Sequence, residues 1–157
     1  MLRRAGCTRL AVVSSTAGTP SIVARETAFV AAAKSAGIEV AVSRAGPTGY
    51  ASGAESARQL LAGSNRPDGV FCVTDLLALG FLDATRIEFR LRIPEDICVI
   101  GFDDISAASW LGYDLTTFRQ PIAEIADYIA EMLDEDEGGP AKVRFPVHVV
   151  WRKTVRP

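Results

Sequence analysis

The fold class legible in this sequence is α/β, a doubly wound parallel sheet, and three observations predict it. Short runs at 10–13, 69–73 and 97–100 are apolar at nearly every position, so both faces of each strand must be covered. Each run ends at a polar or glycine-bearing turn, and helical stretches stand between the runs, as crossovers between parallel strands require. The 157 residues, 48% of them hydrophobic, are enough for one domain with a sizeable core.

The first strand, 10–13, is β-branched and closes on the polar loop 14–19. A helix is expected next: Thr19 can cap it, Pro20 suits its first turn, Ile22, Val23, Phe29, Val30 and Ala33 supply the apolar stripe, and Gly37 the stop. Residues 38–42 form the second strand. The loop 45–49 leads into a helix over 51–62, ended by the turn signal Gly63-Ser64-Asn65. The third strand is 69–73, after which Asp75 is placed to cap a helix reaching Phe89. Pro94 marks the end of that connection, and the fourth strand, 97–100, is closed by Gly101.

From Asp114 the pattern changes. Residues 115–118 read as a short strand, 122–133 as a helix, 134–140 as an acidic, Gly-rich turn and 143–151 as a strand. The helix carries Ile122, Ile125, Ala126, Ile129, Met132 and Leu133 on one stripe and needs an apolar surface that the first half does not wholly supply.

Composition narrows the function. Seventeen basic against 19 acidic side chains leave a net charge of -2, so no surplus positive field holds nucleic acid; any grip on DNA must come from another segment. Cys7, Cys72 and Cys98 are odd in number, lack a CxxC pair and have one histidine, His148, for company. A metal centre, a disulfide framework and a cofactor are therefore not expected. Cys72 and Cys98 lie in apolar runs, as buried thiols do in a reducing cytoplasm. The basic start, 1–9, precedes an apolar run too short for a secretory core, and no stretch approaches the roughly 20 apolar residues of a membrane span. The expected setting is cytoplasmic, without a membrane.

In doubly wound sheets ligands sit beyond the carboxyl ends of the strands, where loops converge and helix amino termini point. The densest polar cluster at such an end is Gly101-Phe102-Asp103-Asp104, with Asp75 beside it. Asp75 and Asp104 read first as a cap and a turn former. Asp103 has no helix to cap and is the better ligand contact. Arg25, early in the first helix, can fork to two acceptors, and Thr74 and Gln120 are polar side chains in range if the winding is right. Tyr50, Phe102, Trp110 and Tyr113 lie in or near these loops, where a ring can pack on a sugar face. The helix segment Leu76-Leu77-Ala78-Leu79-Gly80-Phe81-Leu82 is apolar all round, and with Ile105, Trp110 and Leu111 it predicts a symmetric dimer interface. No catalytic triad, GxSxG or phosphate loop is present.

Three motifs occur in order: Arg66-Pro-Asp-Gly-Val-Phe-Cys-Val-Thr-Asp-Leu-Leu-Ala-Leu-Gly, Ile93-Pro-Glu-Asp-Ile-Cys-Val-Ile-Gly-Phe-Asp-Asp and Leu115-Thr-Thr-Phe-Arg-Gln-Pro. Together they resemble the lactose/galactose-repressor (LacI/GalR) family, and the likeness runs from Leu2-Arg-Arg-Ala-Gly to Trp151-Arg-Lys. The resemblance implies a periplasmic-binding-protein-like type I fold of two lobes, with an effector in the cleft and a helix-turn-helix head on operator DNA. It implies that residues 1–118 are the carboxy-terminal lobe, that 119–148 cross toward a first lobe missing from this chain, and that 149–157 return. It makes Arg25 an effector-binding arginine, Asp103 the acceptor of sugar hydroxyls and Gln120 a cleft residue, with Ser21 and Tyr50 near pocket positions.

Three residues depart from the family pattern: Thr74 replaces an asparagine, Arg90 a helix-ending glycine and Asp114 a proline. The expected protein is a non-enzymatic, sugar-responsive regulator, and half a cleft implies weak effector affinity. Its rivals are a solute-binding protein of the same fold and, further off, a magnesium-dependent phospho-receiver using Asp75, Asp103 and Asp104.

Overall fold

The computed structural model describes residues 1–134 and 143–157. Four parallel strands form the sheet: β1 (Leu10–Val13), β2 (Val40–Ser43), β3 (Gly69–Cys72) and β4 (Cys98–Ile100), in the order β2-β1-β3-β4. Val12 of β1 stands opposite Val42 of β2 and Phe71 of β3, and Phe71 opposite Ile100 of β4. β1, β3 and β4 are buried throughout, while β2, an edge strand, exposes its centre, matching the continuous apolar runs of the other three.

Between the strands lie α1 (Pro20–Ser35), α2 (Tyr50–Leu61) and α3 (Asp75–Ile87). Right-handed crossovers put α1 on one face and α2 and α3 on the other. On the α1 face Phe29 meets Phe71 with ring centroids 5.1 Å apart, and Phe71 meets Phe118 edge-on at 6.4 Å. On the other face α2 and α3 come into backbone contact. A Cβ on Gly53 would fall 2.0 Å from the Leu77 carbonyl oxygen, and one on Gly80 would fall 1.9 Å from that of Tyr50.

That approach corrects one expectation. Leu77, Leu79 and Gly80 are buried in the chain's own core, so the all-round apolarity of α3 serves the sheet on one side and α2 on the other. None of the three has surface left for a second subunit. Leu76, Trp110 and Leu111 do remain exposed, by 42%, 61% and 98%, and Ile105 is half-buried.

Helix starts differ in detail. Pro20 opens α1, but the Thr19 hydroxyl makes no capping bond. Thr74, not Asp75, caps α3, accepting from the Leu77 amide at 3.4 Å, which leaves the Asp75 carboxylate for other work. Arg90 stands at φ +56, the left-handed conformation a glycine would adopt at lower cost. Asp114 has φ +44, which a proline ring cannot reach, so this loop departs from a proline-bearing path.

After a 3-10 turn (Ser106–Ser109), β5 (Thr117–Arg119) and β6 (His148–Val150) pair antiparallel, with α4 (Ile122–Asp134) between them. β6 is shorter than the expected strand over 143–151, and the expected acidic turn over 134–140 lies, apart from the end of α4, outside the described residues. Two further segments of the same chain lie along β4: the Val99 amide donates to Thr154 O at 2.8 Å and the Gly101 amide to Thr116 O at 3.0 Å. Ile122, Ile129 and Leu133 of α4 are exposed, so within the described residues its apolar stripe is largely uncovered.

Replacing Gly80 with alanine should push α2 from α3 and lower stability by about 2 kcal/mol or more, the scale of core overpacking. A urea melt reads this, with Gly63→Ala, whose Cβ meets open space, as the neutral control.

Candidate functional site

The carboxyl edge of the sheet gathers side chains from three separate turns. Arg25, in the second turn of α1, donates through Nη1 to the Val73 carbonyl at 2.9 Å and lies 3.2 Å from Asp103 Oδ1. Its guanidinium also covers the Phe102 ring, 3.8 Å from the centroid. Gln120, arriving just after β5, donates its amide to the same Asp103 oxygen at 2.9 Å. Arg25, Asp103 and Gln120 thus converge from α1, the turn after β4 and the segment after β5.

The backbone spends strain to present Asp103. Its φ is +125 and that of Asp104 is +55, conformations that side-chain-bearing residues rarely adopt. Burial raises the Asp103 carboxyl above its ordinary range, against the pull of Arg25 and Gln120 toward ionisation. Asp103 still keeps 27% of its side chain exposed. A half-desolvated carboxylate held by a guanidinium and an amide can exchange those partners for ligand hydroxyls, each with a donor to give.

Asp75 is the buried support of that turn. It is inaccessible to solvent; it accepts from the Thr117 hydroxyl at 2.5 Å through Oδ1 and from the Ile105 amide at 3.0 Å through Oδ2. Its own amide donates to Phe102 O at 2.7 Å. Burial lifts the Asp75 carboxyl above the usual range, and the bonds from Thr117 and Ile105 resist that shift. Gly101 provides the space, since a Cβ there would fall 2.1 Å from Asp75 Oδ1.

The remaining predicted positions divide. Thr74 is buried and its hydroxyl caps α3. Ser21 is exposed one turn before Arg25 and on the same helix face. Tyr50 is turned elsewhere: its hydroxyl donates to Asp83 Oδ2 at 2.7 Å, beside Tyr113 at 2.9 Å, and that bond pushes its phenol up to about 12. A stacking role beside Asp103 is corrected for Tyr50; Phe102 is the ring in contact with Arg25. The phospho-receiver reading loses its carboxylates to these partners. Among the described residues, no group of His, Cys, Asp and Glu is arranged to hold a metal ion.

Asp104, read from sequence as a turn former, has a further use. It pairs with Arg152 at 2.7 Å and with Arg119 at 2.5 Å, joining the turn after β4 to β5 and to the residues following β6. Pairs separated by 15 and 48 residues carry no spacing signal that would have revealed them. Burial works against ionisation, but Arg152 and Arg119 prevail and hold the carboxyl below its ordinary range. A depressed carboxylate contributes stability above its unfolded pKa and loses it as pH falls through the folded one. Arg152→Ala should therefore cost about 2 kcal/mol at neutral pH, because it leaves Asp104 Oδ1 without its cation and Asp104 with the more exposed Arg119 alone. The difference from the parent should shrink in acid below the ordinary aspartate range, read by thermal melts across pH.

Residues 1–155 match the family described as periplasmic binding protein-like domain. The ribose operon repressor of Escherichia coli K12 is 33% identical over 136 residues, covering 82% of this chain and 39% of the repressor. The probable HTH-type transcriptional repressor ExuR of Bacillus subtilis is 34% identical over 109 residues, 67% of this chain and 32% of that protein. A LacI transcriptional regulator from a Rhodococcus species superposes with a TM-score of 0.88 at 26% identity, covering 99% of this chain and 58% of the other. The Lac repressor bound to ONPG in the repressed state gives 0.86 at 25% identity, over 98% and 48%. The chain thus spans about two fifths of the length of the ribose repressor it resembles. On the strength of a match along nearly its whole length, the chain belongs to the periplasmic-binding-protein-like domain family and is homologous to the LacI/GalR regulators.

Proposed function

We propose that this chain is the effector-sensing portion of a LacI-type transcriptional regulator, with Arg25, Asp103 and Gln120 as its contacts to a sugar or related polyhydroxylated molecule. The observation that carries the reading is the convergence of a guanidinium, a carboxylate and an amide on one partly open oxygen. Such a set offers donors and an acceptor together, as vicinal hydroxyls need. Thr74, a buried cap, and Ser21, on the Arg25 face, flank this centre in the proposal.

In this reading residues 1–118 form one lobe, 119–148 cross into a first lobe and 149–157 return. The uncovered stripe of α4 supports the crossing, since an amphipathic helix is stable only with its apolar face covered. A ligand bridging two lobes stabilises the closed arrangement by its difference in affinity for closed and open forms, which would change the spacing of DNA-reading heads. The chemistry of the effector is untouched.

Titration of the isotope-labelled chain with ribose, the sugar named for one relative, and with other pentoses, hexoses and hexuronates tests the site by NMR. Millimolar sugar should shift the Gln120 side-chain amide and the Arg25 Nε–H, and Arg25→Ala should abolish both shifts. Micromolar calorimetric binding to the lone chain would contradict a two-lobed site. The absence of any shift at these groups across the panel would remove the assignment.

The dimer surface follows from what α3 leaves free. Leu76 and Ile87 are its exposed apolar residues, and the loop bearing Trp110 and Leu111 runs alongside, tied by Tyr113 to Asp83 and by Arg86 to the Gly112 carbonyl. We infer that Leu76, Ile105, Trp110 and Leu111 meet their counterparts across a twofold axis. Sedimentation equilibrium at micromolar concentration should show a dimer, and Leu111→Glu a monomer. A monomeric parent chain would refute the interface.

A further inference from the structure

Two of the three cysteines form a pair. Cys7 precedes β1 and Cys98 opens β4, 91 positions apart, yet Gly69 brings them together. Gly69 is the in-register neighbour of Cys98, and a Cβ on Gly69 would fall 2.8 Å from Cys7 Cβ. The Cys7 side chain therefore fills the space a side chain at 69 would take. That space lies about one strand spacing, roughly 4.8 Å, from the matching side chain of the next strand. The Cβ separation in a disulfide is about 3.5–4.5 Å, so the two side chains lie on neighbouring positions of the sheet at the scale a disulfide spans.

The surroundings of the pair are those of a thiolate site. Arg156 donates through Nη2 to Cys7 Sγ at 3.3 Å, and its backbone amide donates to Cys98 Sγ at 3.4 Å. The same guanidinium donates to the carbonyls of Ala5, Pro94 and Glu95, holding the segments that carry the two cysteines. The Cys7 thiol and the Arg156 amide and charge stabilise negative charge on Cys98 and hold its thiol below the usual range, while Cys7 is pushed up. An open hollow of about 660 Å³, lined by Arg4, Ala5, Pro94, Val155 and Arg156, reaches the residues that cover the sulfurs. All three cysteines are buried, and what sets Cys72 apart among the described residues is the lack of a second sulfur or a guanidinium as partner.

We infer that Cys7 and Cys98 are a peroxide-oxidisable dithiol, and that their disulfide staples the segment before β1 to the first residue of β4. The Cys98 thiolate attacks one oxygen of hydrogen peroxide, breaking the O–O bond; the released hydroxide takes up a proton as water and leaves a sulfenic acid. The Cys7 sulfur then displaces the sulfenic hydroxyl, which leaves as a second molecule of water. Two thiols lose two electrons and two protons to one peroxide. The structure supplies the reduced form, and a thiol reductant reverses the reaction.

Mild peroxide followed by thiol counting in denaturant should lower the free thiols from three to one, with a mass loss of two hydrogens and a linked peptide containing Cys7 and Cys98. Cys7→Ser should instead trap a sulfenic acid on Cys98 that dimedone labels, and Cys98→Ser should leave Cys7 unreacted at the same dose. The parent's peptide map decides the matter even if either variant folds poorly. Three surviving thiols, oxidation of Cys72 at an equal rate, or disulfides formed only between chains would each overturn the assignment.

Discussion

At the carboxyl edge of the sheet a carboxylate with no access to water joins three pieces of chain that are far apart in sequence. Asp75 begins α3, accepts from Thr117 on β5 and from the Ile105 amide beyond β4, and binds Phe102 through its own backbone. An unpaired carboxylate at this depth would cost several kcal/mol, so those donors are a condition of the fold. They fix where the turn 101–105 runs, and that turn carries Phe102, Asp103 and Asp104.

Each of the next two residues meets a different part of the molecule. Asp103 faces Arg25 and Gln120 and stays partly open; Asp104 turns to Arg152 and Arg119 and is nearly closed to solvent. Successive positive φ values direct the neighbouring carboxylates apart. The strain at Asp103 and Asp104 is held by the network that Asp75 anchors, an arrangement common where a backbone presents binding groups. Burial raises Asp103 while two guanidiniums lower Asp104, so adjacent residues of one type differ in protonation cost. One stays partly open to solvent and the other is committed to structure.

The surfaces left uncovered also have a pattern. The four-stranded sheet satisfies itself with α2 and α3 packed backbone to backbone on one face, made possible by Gly53 and Gly80. Among the apolar side chains that stay exposed are the stripe of α4 and the edge formed by Leu76, Ile87, Trp110 and Leu111. Both differ in chemistry from the Arg25–Asp103–Gln120 cluster, being hydrocarbon rather than hydrogen-bonding surface.

The sequence by itself determined the sheet, because three runs that are apolar on both faces have few alternatives to burial between helices, and their alternation with helical stretches dictated parallel crossovers. It also singled out Arg25, Asp103 and Gln120, through the rule that ligand groups collect at strand carboxyl ends and through three recognisable motifs. Tertiary structure alone decided what α3 does with its apolarity, since packing against α2 and packing against a second subunit call for the same residues. It decided that Tyr50 serves Asp83, that Asp104 clamps Arg152 and that Cys7 lies against Cys98, because partners 33 to 91 positions apart leave no period to read. Periodicity records which face of an element is covered; only the packed chain specifies what covers it.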